Sequence, residues 1–164
     1  MCKVSRQASS GVRAHLGFTL LELLIALVIL GVLLAVAFPS YQSNIRKGRR
    51  ADAFTALAAV QQAQERHRAN NASYAGNLNS TPDSATLPNI SPTSSNGHYS
   101  LVLSAASATG YTATATAAGG QALDTACKVL AVRADGGKLW YGSGSSSVDW
   151  TTPSAADVGK CWVK

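Results

Sequence analysis

Residues 18–38, FTLLELLIALVILGVLLAVAF, carry one ionisable side chain in 21 positions. A helix of that length, at about 1.5 Å per residue, reaches roughly 30 Å and matches the hydrocarbon thickness of a bilayer. Lipid offers no partner for backbone N–H and C=O groups, so helix is the state such a segment takes. Gly31 is tolerable in a membrane helix, and proline first appears at Pro39. No other stretch comes near this apolar length, which excludes a multi-span membrane protein. The remainder is rich in Ala, Ser, Thr and Gly, and only 13% of the chain is charged, so an ordinary cytosolic globular protein is excluded as well.

The placement of charge says more than the net +6. Lys3, Arg6 and Arg13 precede the apolar run, and no acidic residue accompanies them. Arg46, Lys47, Arg49 and Arg50 follow it, whereas residues 69–127 hold only Asp83 and Asp124 as charged groups. Both flanks of the run are therefore basic, and charge alone does not orient it. Cysteine usage does. Cys2 lies in the basic leader, while Cys127 and Cys161 lie in the polar region. One pair in a small, weakly hydrophobic head reads as a disulfide formed outside the cytoplasm, with two buried free thiols as the alternative.

Beyond Pro39 the pattern becomes amphipathic. Ala53, Phe54, Leu57 and Val60 form one stripe, opposite Asp52, Gln62 and Arg66, and predict helix to about Ala69 with a bend at Pro39. Asn70 to Gly97, with Pro82, Pro88 and Pro92, reads as a long loop. Alternation predicts strands at His98–Ala105 and Tyr111–Ala118, then Lys128–Arg133 and Lys138–Tyr141 about an Asp135-Gly136-Gly137 turn. The Gly/Ser patch at 142–147 and the C-terminal segment read as irregular. The expected fold is α+β: a long N-terminal helix, half membrane-spanning and half amphipathic, packed on a small antiparallel sheet with a C-terminal disulfide region.

Glu22 needs explaining, because ionisable groups within membrane segments are costly and mark function by default. A position at headgroup level is the alternative. Its neighbours Gly17, Phe18 and Thr19 complete G-F-T-L-L-E directly after the basic leader. In this motif the sequence resembles the type IV pilin family, and is most like minor pilins of the PilE type. The resemblance implies that a prepilin peptidase cuts after Gly17 and that Phe18 becomes the methylated N-terminus. It further implies that Thr19 and Glu22 act in assembly and that Pro39 kinks the helix before Tyr41. Arg50, Asp52, Ala53, Leu57, Gln64, Glu65, Arg66 and Tyr74 resemble the family's helix and loop signature, and Cys127 with Cys161 and Trp162 its closing disulfide.

The implied organisation is a cleaved leader at 1–17, a transmembrane and filament-core helix at 18–41, and a periplasmic or extracellular head at 42–164. The implied partners are the peptidase, other pilin subunits, the inner-membrane assembly platform and, before assembly, the membrane itself. The precursor would be single-pass in the inner membrane with its C-terminus periplasmic, and the product a surface pilus used in biogenesis, twitching motility or adhesion. Removing the leader leaves 147 residues with net charge +3. The physics agrees with this mechanism. Cleavage places an α-amine at the head of an apolar helix, and a neighbour's Glu22 can neutralise a charge that would otherwise be buried alone.

Several rivals share parts of this pattern. Ala35-Val36-Ala37 before Phe38 offers a secretory cleavage site, although the run is longer than usual signal cores and contains Glu22. An uncleaved membrane-anchored binding module is a second. A type II secretion pseudopilin shares leader, cut and carboxylate. Arg46, Lys47, Arg49 and Arg50 suit nucleic-acid phosphates or a membrane surface, and no stacking aromatic is interleaved with them. Enzyme chemistry finds no support: His67 and His98 lack metal-ligand spacing, nucleophile and phosphate-loop motifs are missing, and no cofactor or metal is expected.

Overall fold

The computed structural model describes residues 17–78, 86–87, 89–151 and 161–162. All of the expected leader except Gly17, and the loop positions Pro82 and Pro88, lie outside the described residues. The chain divides into two compact units, one ending at Ser40 and the other beginning at Tyr41.

Helix α1 runs Leu20–Asn70 and includes Pro39. Its start is chemically marked. Thr19 is the N-cap: its hydroxyl accepts the Glu22 amide at 3.2 Å, and its carbonyl accepts the amide of Leu23. Thr19 and Glu22 thereby have the Thr-x-x-Glu spacing of a capping box, with the carboxylate in the first turn where the helix dipole favours it. At the other end, Asn71 Nδ2 donates to the His67 carbonyl at 2.8 Å and Asn70 Nδ2 to that of Arg66 at 3.4 Å. These asparagines satisfy carbonyls that the terminating helix leaves open. Within the first unit every described side chain is exposed, including Leu20 to Phe38, which is a face for lipid or other chains and not for water.

In the second unit a four-stranded antiparallel meander carries the core: β3 (Tyr99–Ser104), β4 (Gly110–Ala117), β5 (Val129–Asp135) and β6 (Lys138–Gly144). Register places Leu101 opposite Ala115 and Ala115 opposite Leu130, and likewise Leu103, Ala113 and Val132 in the next row. These residues bury against Ala53, Leu57 and Val60 of α1, as the period-2 and period-3.6 patterns require. Gly136 and Gly137, with φ of 56° and 80°, make the two-residue β5–β6 turn.

The structure corrects three readings of the sequence. The stretch expected as one long loop contains two short strands, β1 (Asn77–Leu78) and β2 (Thr86–Leu87), which pair in parallel. Strand β6 continues into the Gly/Ser patch as far as Gly144, because pairing with β5 needs only backbone. The glycines there make room: a Cβ on Gly142 would collide with Val148 Cγ1, and one on Gly144 with the Ser147 carbonyl. Asp52, read as solvent-facing, is 7% exposed. Its carboxylate accepts the Ser94 hydroxyl at 2.6 Å, the Asn96 amide and side-chain nitrogen at 3.2 Å each, and the His98 amide at 3.4 Å. Four donors replace the water that an isolated buried carboxylate would miss. Burial raises the Asp52 pKa, but the bonds from Ser94, Asn96 and His98 outweigh it and hold the carboxyl below its usual range.

Candidate assembly and contact sites

Four backbone or side-chain groups converge at the start of α1. Gly17 and Phe18 are exposed ahead of the first turn, Phe18 at 84%, and Thr19 and Glu22 form the cap. A free α-amine on Phe18 would stand beside a helix N-terminus, whose partial positive charge disfavours a second cation. The Glu22 carboxylate is the acidic group of this first turn.

The basic segment that sequence reads as one patch divides into three environments. Arg50 is buried and forms a two-point ion pair with Asp124, Nε to Oδ2 at 2.7 Å and Nη2 to Oδ1 at 2.9 Å. It is therefore withdrawn from the surface role expected for it, because its guanidinium fork matches a carboxylate of the same chain. Arg49 is half-buried alongside Gly120, and a Cβ on that glycine would lie 3.8 Å from Arg49 Nη1. Arg46 and Lys47 face an open cleft of about 310 Å³ between α1 and residues 123–127.

Asp124 belongs to the β4–β5 connection, a strap that includes a 3-10 turn at Gly119–Leu123. Gln121, buried in that turn, donates from Nε2 to the Arg46 carbonyl and to the Tyr99 hydroxyl at 3.0 Å each, and shares one of those two hydrogens with Asp124 Oδ2 at 3.3 Å. The strap ends at Cys127, which is disulfide-bonded to Cys161, so the chain's last described residues are tied to the same connection. Trp162 then stacks on Phe54 of α1 at 4.9 Å and donates from Nε1 to the Gly142 carbonyl at 3.0 Å. A second clamp holds the helix end. Gln64, fully buried, donates to the Ala75 carbonyl at 2.8 Å and accepts the Ala75 amide at 2.9 Å.

On the sheet face away from α1, Arg133 lies opposite Trp140 across β5 and β6, and Asp135 opposite Lys138. Trp140 is more than a third exposed there, whereas its neighbour Tyr141 turns to the other face and packs edge-on against Trp162; Arg133 pairs with Asp135 at 3.0 Å. This grouping of cation and exposed aromatic was not legible as a site from β-alternation alone.

Two families match the chain. Residues 12–38 match the prokaryotic N-terminal methylation motif, and residues 39–131 match the family described as "Type IV minor pilin ComP, DNA uptake sequence receptor". The chain is 32% identical over 74 residues to "Fimbrial protein" of Moraxella nonliquefaciens, covering 45% of this chain and 48% of that protein. It is 30% identical over 91 residues to "Type II secretion system core protein G" of Pectobacterium carotovorum subsp. carotovorum, covering 56% of this chain and 58% of that protein. A longer match, 27% identical over 147 residues, links it to "Fimbrial protein EcpC" of Eikenella corrodens and covers 87% and 91% of the two chains. The first two matches thus span about half the length of those relatives. With the methylation motif ahead of it and the helix, meander and disulfide described above, the chain belongs to the type IV minor pilin family.

Proposed function

We propose that the chain is cut after Gly17 by prepilin peptidase, methylated on Phe18, held single-pass in the inner membrane with its head periplasmic, and drawn by the assembly platform into a pilus. Its role is structural and not enzymatic. The observation that carries this reading is the G-F-T-L-L-E segment inside the matched methylation motif, with Thr19 capping the helix and Glu22 in its first turn. In the filament Glu22 neutralises a neighbour's α-amine, and the exposed apolar face is buried between subunits. Glu22→Ala leaves membrane insertion and cleavage intact but orphans that amine, so the defect is confined to incorporation. The test compares membrane level, leader removal and recovery in sheared filaments for Glu22→Ala and wild type. Wild-type recovery of the mutant in filaments would defeat the pairing argument.

The matched family's description favours a second role for the same subunit, as a receptor for DNA during uptake. The surface best suited to it is the outer face of β5 and β6, where Arg133 and Lys138 flank Trp140 beside a stacking ring, and where the pair of Arg133 with Asp135, unlike that of Arg50, is solvent-exposed and weak enough to yield to a phosphate. Arg133→Gln with Lys138→Gln should weaken duplex binding by the full chain and reduce the salt slope by about one for each phosphate that is no longer neutralised. An unchanged slope would remove this face from consideration.

A further inference from the structure

The cleft between α1 and the β4–β5 strap carries chemistry that filament assembly does not use. Ser43, Arg46, Lys47 and Arg50 follow i, i+3, i+4, i+7 spacing and share one helix face; Leu123 and Thr125 stand across from them. The only carboxylate among the residues lining the cleft, Asp124, is engaged by Arg50 through two short bonds and so does not repel an incoming anion. Arg46 and Lys47 are left to supply a net positive field, and the hydroxyls of Ser43 and Thr125 can donate to phosphate oxygens. Next to these polar groups Leu123 is 67% exposed, at the end of the 3-10 turn.

A cation pair beside an unsheltered leucine is the pattern of a surface that meets headgroups and upper acyl chain together. Only seven residues separate Phe38, the last of the apolar run, from Arg46, and the amphipathic ring of Tyr41, 64% exposed, lies between them. Nucleic acid would leave Leu123 without a partner, and no aromatic lines the cleft for a base to stack on. We propose that this cleft binds the phosphodiester of an anionic glycerophospholipid, with Arg46 and Lys47 on the phosphate and Leu123 against the acyl chain, while the subunit is still membrane-anchored. The proposal rests on the chain's membrane anchoring and not on its incorporation into a filament.

The test is native mass spectrometry of the full processed chain in detergent micelles, titrated with phosphatidylglycerol or phosphatidylcholine. Two surface cations predict roughly a 30-fold preference for phosphatidylglycerol. Arg46→Gln with Lys47→Gln should abolish the preference, and Lys47→Gln alone should reduce it several-fold if the double variant folds poorly. Leu123→Ser should weaken both lipids several-fold, and Arg66→Gln, exposed on α1 and not among the residues lining the cleft, should change neither. Inorganic phosphate and a 12-base-pair duplex, matched in phosphate concentration, should fail to displace the lipid. Retention of the preference in the double variant would overturn the proposal. Displacement by duplex would overturn it in favour of nucleic acid, and displacement by inorganic phosphate in favour of a free anion. Filament recovery is not read in this experiment, so a failed Glu22 prediction leaves its outcome untouched.

Discussion

Truncating Asp124 to alanine isolates what holds the β4–β5 strap to the helix. In the native chain the Arg50 side chain is 9% exposed and its guanidinium meets both Asp124 oxygens at 2.7 and 2.9 Å. Removing the carboxylate takes this counter-ion from a buried cation and costs Gln121 its 3.3 Å contact to Asp124. A broken buried pair of this kind costs about 3–5 kcal/mol, a large part of the roughly 5–15 kcal/mol that stabilises a domain. For a head of this size the melting temperature should fall by roughly 10–20 °C. Replacing both partners, Arg50→Met with Asp124→Leu, removes the charge together with its desolvation penalty and should lie within about 1–2 kcal/mol of wild type. All three tryptophans lie at residues 140, 150 and 162, so their fluorescence follows unfolding of the head in the full, detergent-held chain and is blind to the membrane helix. A cost under about 1 kcal/mol for Asp124→Ala, or a double replacement as damaging as the single one, would show that the ion pair does not hold the strap.

Two further outcomes use the same fluorescence readout. The Cys127–Cys161 bond has a sequence separation of 34, worth about 4 kcal/mol on the chain-entropy account, so Cys127→Ser or full reduction should lower the head's melting temperature without affecting leader cleavage; equal melting of oxidised and reduced protein would contradict this. Asp52 has a folded pKa below its unfolded value, so its contribution is complete above the unfolded pKa near 3.8 and is lost as pH falls through the folded pKa. Asp52→Asn should therefore be less stable than wild type at pH 7 and converge on it at low pH, and a gap that widens on acidification would reverse the assignment.

Why some of this was legible in sequence and some was not follows from the range over which each signal acts. The apolar run of residues 18–38 is a signal of local composition, the α1 stripe of Ala53, Leu57 and Val60 and the alternation of β3 and β4 are local periodicities, and each of these periodic faces is buried where its period places it. Thr19 and Glu22 are three positions apart, and their Thr-x-x-Glu spacing is a readable cap that the functional reading of Glu22 obscured. Arg50 and Asp124 are 74 residues apart, and Asp52 reaches Ser94 over 42. Periodicity counts such charges as polar and assigns them to solvent, whereas their burial depends on partners brought in by the strap and by the segment before β3. The basic run is a single patch only in sequence, for the same reason: Arg46, Lys47 and Arg50 share a helix face that Arg49 does not, and of those three Arg50 is taken by Asp124, which leaves Arg46 and Lys47 on the open cleft without a carboxylate of their own. Gly142 and Gly144 read as loop residues until the returning Ser147–Trp150 segment shows what their missing Cβ atoms make room for.

Where the mature chain begins, and where it ends up, decide between a pilus subunit and its rivals. Sheared surface filaments, purified and digested, should yield by peptide mass spectrometry an N-terminal peptide that starts at Phe18 and carries one methyl group on its α-amine. A chain starting at Phe38, an intact leader ahead of Gly17, or absence of the chain from filaments in which other pilins are abundant would contradict it.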